Sequence, residues 1–167
     1  REYTYMNTAS HIIGYIGKPT SEDFEEYPDT IKNGIVGKSG VEKYYENQLS
    51  GKAGEIVFKG DEVIEFILPE PGEDLYLTID IETQIVATES LLEGIKLANE
   101  NFDSENIIQK GSVVVIDIET GEILTMVSLP DFDPNKFVKG ISSFDFNQLI
   151  RTEAFNNFAI QGLYPPG

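Results

Sequence analysis

The N-terminal part of the chain alternates short apolar runs with glycines and polar stretches, a pattern typical of short elements. The apolar run closed by Gly17 predicts short strands within residues 1–19. Thr20 or Ser21 then opens an acidic stretch, which predicts a brief helix over residues 20–27 that ends before a proline.

A second helix is predicted to begin after Ser39. The sequence Ser39-Gly40-Val41-Glu42 has the form of a capping box, in which the Ser39 hydroxyl accepts the Glu42 N–H and the Glu42 carboxylate accepts the Ser39 N–H. We expect this helix to run to about residue 49. Its apolar residues at helical spacing predict a buried side formed by Val41, Tyr44, Tyr45 and Leu49.

The next pattern predicts a β-hairpin and a linker. Residues 55–59 and 62–68 flank Gly60-Asp61, a pair that suits the positive φ angles of a tight turn. Pro69-Glu70-Pro71-Gly72 then has the composition of a linker. We therefore expect two domains, one formed by residues 1–70 and the other by residues 71–167.

The second part opens with a predicted strand and a long helix. Residues 75–79 have the composition of a strand, and Asp80 is a good N-cap for a helix that runs to about Asn99. Residues 99–110 are polar and predict an exposed loop. The apolar residues of the helix recur near 3.6-residue spacing, which predicts a buried stripe formed by Ile81, Ile85, Leu92 and Ile95.

A second hairpin and a short helix complete the pattern. Residues 113–118 and 123–127 flank Glu119-Thr120-Gly121-Glu122, and the first arm is almost continuously apolar, as expected for a strand covered on both faces. Residues 142–151 predict a short helix that carries Phe146, Leu149 and Ile150. The predicted fold class is α+β, with a strand-rich first part followed by a strand–helix–hairpin unit.

Composition narrows the classes of function. The 167 residues carry a net charge of −17, which argues against binding to nucleic acid or to an anionic membrane surface. With no cysteine and one histidine, the chain excludes disulfides, thiol catalysis and multi-histidine metal sites. No apolar run approaches the ~20 residues that span a bilayer, and no signal peptide is visible, so we expect any anchor to lie upstream of Arg1. We expect no cofactor and no metal.

Several acidic residues and the histidine resemble catalytic groups, but each has a simpler interpretation. His11 lies in an apolar run, which favours a packed, hydrogen-bonded role over catalysis. Two pairs of acids, Asp117 with Glu119 and Asp131 with Asp133, have the form of the carboxylate pair of a glycosidase. Asp117 and Glu119 end at a turn, where solvated acids are common, and Asp133 begins a turn or helix-start signal, so we expect neither pair to be catalytic. Asp131 and Asp133 lack the glycine and glutamate of a calcium-binding EF-hand loop.

Three short strings match parts of known motifs by chance. Lys38-Ser39-Gly40 matches a catalytic Lys-(Thr/Ser)-Gly motif, but it opens a predicted helix. Ser104-Glu105-Asn106 matches a catalytic Ser-x-Asn motif, but it lies in a predicted acidic loop. Gly37-Lys38-Ser39 resembles the end of a phosphate-binding loop, but Lys32 stands where that loop requires glycine. A phosphate-binding loop is therefore excluded.

The chain closes on Gly162-Leu163-Tyr164-Pro165-Pro166-Gly167, and this pattern predicts a lead-in to a further element, because proline fixes φ and glycine frees it. The segment resembles the stretch just before the nucleophilic serine of class B penicillin-binding proteins, the D,D-transpeptidases that cross-link bacterial cell wall. Further blocks resemble the same family in the same order: Arg1-Glu2-Tyr3 with His11-Ile12-Ile13-Gly14-Tyr15 (Thr4 replaces the usual proline), residues 37–46 with Leu49, Gly51 and Gly54, Leu77-Thr78-Ile79-Asp80 with Gln84, residues 111–117 with 120–124, and residues 128–135.

The resemblance implies a fold and an active site. Residues 1–70 would form part of the non-catalytic pedestal, and residues 71–167 the N-terminal portion of the transpeptidase domain. The family attacks an acyl-D-Ala-D-Ala carbonyl with the serine of a Ser-x-x-Lys motif, supported by Ser-x-Asn and Lys-(Thr/Ser)-Gly. None of the ten serines of this chain is followed by lysine three residues on, so we predict no catalytic residue here and an inactive fragment that stops just before the serine.

The resemblance also implies partners and a location. His11-Ile12-Ile13-Gly14-Tyr15 and Gly-Ile-Ser-Ser at 140–143 resemble the elongation type, which works in cell-wall growth along rod-shaped cells. The intact protein would bind peptidoglycan stem peptides and β-lactams on the periplasmic side of the inner membrane, where an upstream transmembrane helix would hold it. Residues 1–70 would contact the membrane glycosyltransferase and scaffold proteins.

Two other interpretations stay open at this point. The chain is an interaction module whose pedestal part docks cell-wall partners, or it is an unrelated acidic α+β binding domain that shares turn motifs. The first is compatible with the transpeptidase assignment. Because residues 113–127 would keep an unpaired edge and an uncovered apolar face, we expect residues 71–167 alone to misbehave, to form a homodimer through that face, or to require a larger assembly.

Overall fold

The computed structural model describes residues 2–5, 7–28, 30, 34–101 and 107–163. Two compact units divide the chain: residues 14–76 form one, and the segments up to residue 13 and from residue 77 form the other. In chain order the elements are α1 (Ser10–Ile13), β1 (Ile16–Gly17), α2 (Ser21–Glu26), β2 (Val36–Gly37), α3 (Gly40–Tyr44), α4 (Glu46–Leu49), β3 (Glu55–Lys59), β4 (Glu62–Ile67), α5 (Ile81–Asn101), β5 (Gly111–Ile116), β6 (Ile123–Leu129), α6 (Asn135–Val138), α7 (Ser143–Arg151) and α8 (Phe158–Gln161). The predicted α+β class is confirmed.

In the 14–76 unit, two antiparallel pairs of strands are accompanied by three short helices. β1 pairs with β2, and β3 pairs with β4 across the predicted hairpin, where Gly60 adopts a φ of 64°. The predicted acidic helix is confirmed as α2, with Thr20 at its N-cap. The segment predicted to be a linker, residues 69–72, is more ordered than expected, because Glu70 and Lys52 exchange backbone hydrogen bonds of 2.9 and 3.0 Å. The domain boundary at residue 70 stays a prediction.

The prediction of short strands throughout residues 1–19 is wrong in part. Residues Ser10–Ile13 form a helical turn in which the N–H groups of Ile12 and Ile13 both donate to the Ala9 carbonyl. Gly14 then stops the turn with a φ of 81°, and a Cβ at this position would lie 1.9 Å from the Ser39 carbonyl oxygen. A strand begins only at Ile16, so the apolar run changes conformation at a glycine that no other residue can replace.

The capping box predicted at Ser39 is also absent, because the Ser39 side chain makes no capping hydrogen bond. A capping box occurs instead at Thr20, whose backbone N–H donates to the Asp23 carboxylate over 2.6 Å. The predicted helix to residue 49 is interrupted at Tyr45 and becomes α3 and α4.

The predicted buried side of that helix is wrong in part, since Val41, Tyr45 and Leu49 are half-buried but Tyr44 is not. Tyr44 is 81% exposed, whereas Glu42 and Glu46 are buried. Gly37 explains the inversion, because a Cβ there would lie 2.1 Å from the Glu42 carbonyl oxygen, so β2 runs directly against the backbone of α3. At this approach the Glu46 carboxylate accepts the Gly37 N–H over 2.8 Å, and a polar side chain faces inward to satisfy it.

In the second unit, α5 packs on the β5–β6 hairpin. The hairpin and the α7 helix are confirmed, and Asp80 caps α5 by accepting the Thr83 N–H over 2.7 Å. Residues 75–79 do not form the predicted strand. Their contact with β6 is limited to the Thr78 hydroxyl, which donates to the Ile123 carbonyl, and to the neighbouring Asp80 N–H, which donates to Leu124. The predicted 99–110 loop begins later than expected, because residues 99–101 still belong to α5, and residues 107–110 are exposed as predicted.

Burial in this unit departs from the predicted apolar stripe. Leu92 is 53% exposed, and the two buried side chains of α5 are Gln84 and Thr88. In the hairpin the better covered arm is β6, since Val114 of β5 is 42% exposed, so the expectation that β5 is covered on both faces is wrong for this chain. The core is completed by an aromatic cluster with ring centroids 5.4–6.0 Å apart along its contacts, formed by His11, Phe132, Phe137, Phe146 and Phe155.

Candidate functional site

The structure gives the motif-like acids structural roles. The carboxylate of Asp117 accepts the N–H groups of Glu119 and Thr120, and these hydrogen bonds lower the pKa of Asp117. Asp133 accepts the Asn135 N–H over 2.9 Å, as a turn residue does. Lys38, from the Lys-Ser-Gly string, forms an ion pair with the buried Asp23. Ser104 and residues 164–167 lie outside the described residues.

The segment that precedes the Tyr-Pro-Pro-Gly end is held by hydrogen bonds from distant parts of the chain. Residues 152–157 connect α7 to α8, and we call them the α7–α8 connector. The Ser128 hydroxyl of β6 donates to the Asn156 carbonyl over 3.1 Å and accepts the Phe158 N–H over 2.9 Å. Ser128 is 3% exposed, so both contacts are shielded from water.

A second contact reaches the connector from the start of the chain. The Nε2 atom of His11 lies 2.8 Å from the carbonyl oxygen of Ala154, so the N–H of this tautomer donates to it. Burial lowers the pKa of His11, and the hydrogen bond to Ala154 acts against that shift without overcoming it. The predicted structural role of His11 agrees with this geometry, and its ring meets Phe132 edge-on at 5.5 Å.

Described residues of the N-terminal segment are held by hydrogen bonds to residues far along the chain in the same unit. Asn135 pairs with Tyr3 through two hydrogen bonds of 2.9 Å, from the Tyr3 N–H and to the Tyr3 carbonyl. The amide of Asn7 donates to the Asp131 carboxylate, whose pKa is raised by burial. The Pro-Asp-Phe-Asp-Pro-Asn block at 130–135 therefore binds the start of the chain.

Gln84 joins three parts of the same unit. Its Nε2 donates to the carbonyls of Thr8 and Met126 over 2.9 and 2.8 Å, and its Oε1 accepts the Met126 N–H over 2.9 Å. The amide thus takes the place of a neighbouring strand at the β6 edge, and it is 1% exposed.

Sequence reasoning singled out Gln84 and Asn135 only within blocks of family resemblance, and it missed Ser128 as a functional candidate. The available signal was a serine inside an otherwise apolar strand next to a Leu-Pro step. A polar side chain there predicts a buried hydrogen bond but does not say to which partner, since Asn156 lies 28 residues further along the chain.

The described residues hold no cluster of three or more histidine, cysteine, aspartate or glutamate side chains arranged to bind a metal ion. Across the same residues, every helix is either too short or too polar to cross a bilayer.

Comparisons with known proteins place these features in a family. The profile of the "Penicillin-binding Protein dimerisation domain" matches residues 1–77, and that of the "Penicillin binding protein transpeptidase domain" matches residues 111–167. The peptidoglycan D,D-transpeptidase MrdA of Acinetobacter baumannii is 34% identical over 100% of this chain and 24% of its own length. The chain therefore spans about a quarter of the curated relatives that it matches.

Two solved structures agree with the sequence matches. The crystal structure of Pseudomonas aeruginosa PBP2 in complex with WCK 5153 superposes with a TM-score of 0.76 at 32% identity, covering 100% of this chain and 32% of that one. The complex between PBP2 and MreC from Helicobacter pylori gives a TM-score of 0.75 at 30% identity, covering 99% of this chain and 30% of that one. The chain belongs to the penicillin-binding proteins, as its resemblance to the class B, elongation-type members predicted.

Proposed function

We propose that this chain is part of a peptidoglycan D,D-transpeptidase that cross-links stem peptides by serine acyl transfer. The observation that supports the proposal is the ordered match of both domain profiles, together with MrdA relatives that align over the whole chain. The activity is the one for which the MrdA relatives are named, and this chain covers about a quarter of their length.

The chemistry proposed for the whole protein proceeds in two steps. A serine hydroxyl attacks the carbonyl of the D-Ala-D-Ala bond, so the C–N bond breaks and the terminal D-alanine leaves with a proton. An amine of a neighbouring stem peptide then attacks the ester and releases the serine. No serine of this chain carries lysine at the third following position, so the proposal assigns no catalytic residue among the 167 and gives them a positioning role.

A fluorescent penicillin tests the proposal directly. The full-length gene product should become covalently labelled on one serine, since the serine oxygen bonds to the lactam carbonyl while the ring C–N bond breaks and the nitrogen takes the proton. The 167-residue chain, prepared alone, should remain unlabelled under the same conditions. An unlabelled full-length protein would overturn the proposed activity, and a labelled 167-residue chain would overturn the absence of a catalytic residue.

A second candidate function is docking of cell-wall partners, and the β3–β4 hairpin favours it. The cross-strand pairs Ile56–Phe66 and Phe58–Val63 share one face, and all four side chains are 49–60% exposed. The relative from Helicobacter pylori was solved as a complex of PBP2 and MreC. We therefore propose that this face contributes to binding an MreC-type scaffold protein.

Charge placed on that face tests the docking proposal. Phe58→Glu in the full-length protein should abolish co-purification with the MreC protein of the same organism, because burying an unpaired carboxylate is unfavourable. Glu65→Gln, on the opposite face of the same hairpin, should leave binding unchanged. Binding by Phe58→Glu at the level of the unsubstituted protein would contradict a role for this face.

A cellular location, a further partner and an oligomeric state also belong to the proposal. We propose that the protein is anchored in the inner membrane with its bulk in the periplasm, that the same pedestal part contacts the membrane glycosyltransferase, and that residues 71–167 alone self-associate. Protease accessibility in spheroplasts tests the location, co-purification of the full-length protein with the membrane glycosyltransferase tests that contact, and analytical ultracentrifugation of residues 71–167 tests self-association. A compact monomer in the last experiment would count against a homodimer.

A further inference from the structure

The α7–α8 connector is held from three sides by residues that are far away in sequence. Ser128 of β6 contributes one hydrogen bond to Asn156 and another to Phe158, the first residue of α8, and His11 contributes one to Ala154 from the N-terminal segment. Lys110, just ahead of β5, forms a 2.6 Å ion pair with Glu153 and places its ammonium 5.3 Å from the centre of the Phe158 ring. Three separate parts of the unit therefore converge on six residues.

The backbone of the connector is itself fixed in an uncommon conformation. Glu153 adopts a φ of 56°, in the left-handed region that residues other than glycine rarely enter. The next N–H, that of Ala154, returns to the Leu149 carbonyl over 2.9 Å and closes the end of α7. Ala154 is 1% exposed, so its carbonyl depends on His11 for a partner that replaces water.

The helix that follows is short and depends on its surroundings for its direction. α8 has four residues, and none of them is buried. Its N-terminus is ordered by Asn157, whose side chain accepts the Ala159 N–H over 3.1 Å and whose backbone N–H donates to Gln161 Oε1 over 2.8 Å. The direction in which the chain leaves Gln161 is therefore set by the connector together with the contact of α8 with β5 and β6.

We propose that Ser128 and His11 are positioning residues for the acyl transfer: together they fix the α7–α8 connector and so the direction in which the backbone leaves α8 at Gly162 and Leu163, where the Gly-Leu-Tyr-Pro-Pro-Gly segment begins. This inference rests on the proposed function and on the resemblance that puts the nucleophile directly after that segment. Neither residue contacts the substrate. They act on the nucleophile through its backbone, where a displacement of about 1 Å costs on the order of 100-fold in rate.

The test uses the full-length protein and measures the two constants of penicillin labelling separately, namely the dissociation constant of the initial complex and the first-order acylation rate constant. Ser128→Ala removes the hydrogen bonds to Asn156 of the connector and to Phe158, the first residue of α8. We expect its acylation rate constant to fall about 10- to 100-fold while the dissociation constant changes less than about 3-fold.

His11 permits a matched pair of variants. His11→Phe keeps a ring against Phe132 but has no N–H donor for Ala154, and we expect a fall in the acylation rate constant of about 10-fold. His11→Gln keeps a donor, and it should recover most of the rate. Such a rescue separates the loss of the hydrogen bond from a general loss of packing.

Ser142→Ala serves as the control for an equivalent loss elsewhere. Ser142 accepts the Asp145 N–H at the start of α7, so this variant also loses a serine hydrogen bond and some stability. Its acylation rate constant should equal that of the unsubstituted protein. If Ser128→Ala is too unstable to purify, Ser128→Cys, with a weaker donor and acceptor, should give an intermediate rate.

The results separate the inference from the activity on which it rests. Folded Ser128→Ala and His11→Phe proteins that acylate at the unsubstituted rate would overturn the positioning role and leave the transpeptidase assignment intact. An unsubstituted full-length protein that is never acylated would overturn the proposed function itself.

Discussion

Asp23 shows how one buried carboxylate organises its surroundings. Its side chain accepts the Thr20 N–H and hydroxyl over 2.6 and 2.8 Å and pairs with Lys38. Burial alone would raise its pKa, but the hydrogen bonds from Lys38 and Thr20 and the charge of Lys38 prevail and lower the pKa to about 2. The folded state therefore favours the ionised form more strongly than the unfolded chain does.

The first prediction concerns this carboxylate and pH. Because the folded pKa lies below the ordinary value of 3.8, the stabilisation by Asp23 is complete above about pH 5 and is lost as the pH falls towards 2. Asp23→Asn should lower the free energy of unfolding by about 2 kcal/mol at pH 7 and by much less at pH 2.

Denaturant titrations at both pH values measure this difference. Glu22→Gln, an exposed neighbour on α2, is the control and should shift the free energy by less than about 0.5 kcal/mol. An Asp23→Asn effect of equal size at pH 7 and pH 2 would show that the carboxylate charge is not responsible.

The second prediction concerns the left-handed conformation of Glu153. Asparagine tolerates positive φ better than glutamate or alanine, so Glu153→Asn should raise Tm by about 2–4 °C relative to Glu153→Ala. Both variants lose the ion pair with Lys110, and their difference therefore reports the backbone alone. Thermal unfolding followed by circular dichroism measures it, and equal Tm values would argue against strain at this position.

At the scale of elements, the edge of β6 is closed by a side chain. The side-chain amide of Gln84, in α5, donates two hydrogen bonds and accepts one. The helix and the strand are therefore joined by this amide in addition to apolar packing. Removing the amide leaves the N–H and carbonyl of Met126 and the carbonyl of Thr8 without this partner in a dry site.

The third prediction follows from that site. Gln84→Met keeps the length of the side chain and loses its hydrogen bonds, and we expect the free energy of unfolding to fall by about 2–4 kcal/mol. Gln148→Met, at an exposed position of α7, is the matched control, with an expected change below about 0.5 kcal/mol. Chemical denaturation compares them, and similar values for the two variants would remove the structural role assigned to Gln84.

At the scale of the whole molecule, the start of the chain belongs to the unit formed mainly by its second half. Tyr3 bonds to Asn135, Thr8 to Gln84 and His11 to Ala154, with sequence separations of 132, 76 and 143 residues. The 14–76 unit is therefore inserted between two segments of the other unit.

The fourth prediction is that deletion of residues 1–13 destabilises the second unit selectively. Backbone amides around Met126 and Ala154 should lose hydrogen-exchange protection by about 10-fold or more, because the deletion removes Thr8, which binds the Gln84 amide that holds Met126, and His11, which binds the Ala154 carbonyl. Amides of the 14–76 unit, such as those of Phe24 and Gly37, should keep their protection. Parallel loss of protection in both units would contradict the division of the chain.

The sequence by itself determined the parts of this protein that depend on neighbours along the chain. The N-caps of α2 and α5, the helix α7, the two hairpins and the family membership were all predicted, because capping residues, turn pairs and ordered motif blocks act over a few residues.

Only the tertiary structure decided which side chains are buried and which segments meet. Apolar periodicity predicted Tyr44 and Leu92 as interior residues, yet Glu46 and Gln84 occupy the interior, because each satisfies a backbone group from a distant segment. Ser128 and His11 are directed at the α7–α8 connector for the same reason. Spacing along a helix reports hydrophobicity, whereas a buried hydrogen bond is defined by a partner that no local pattern contains.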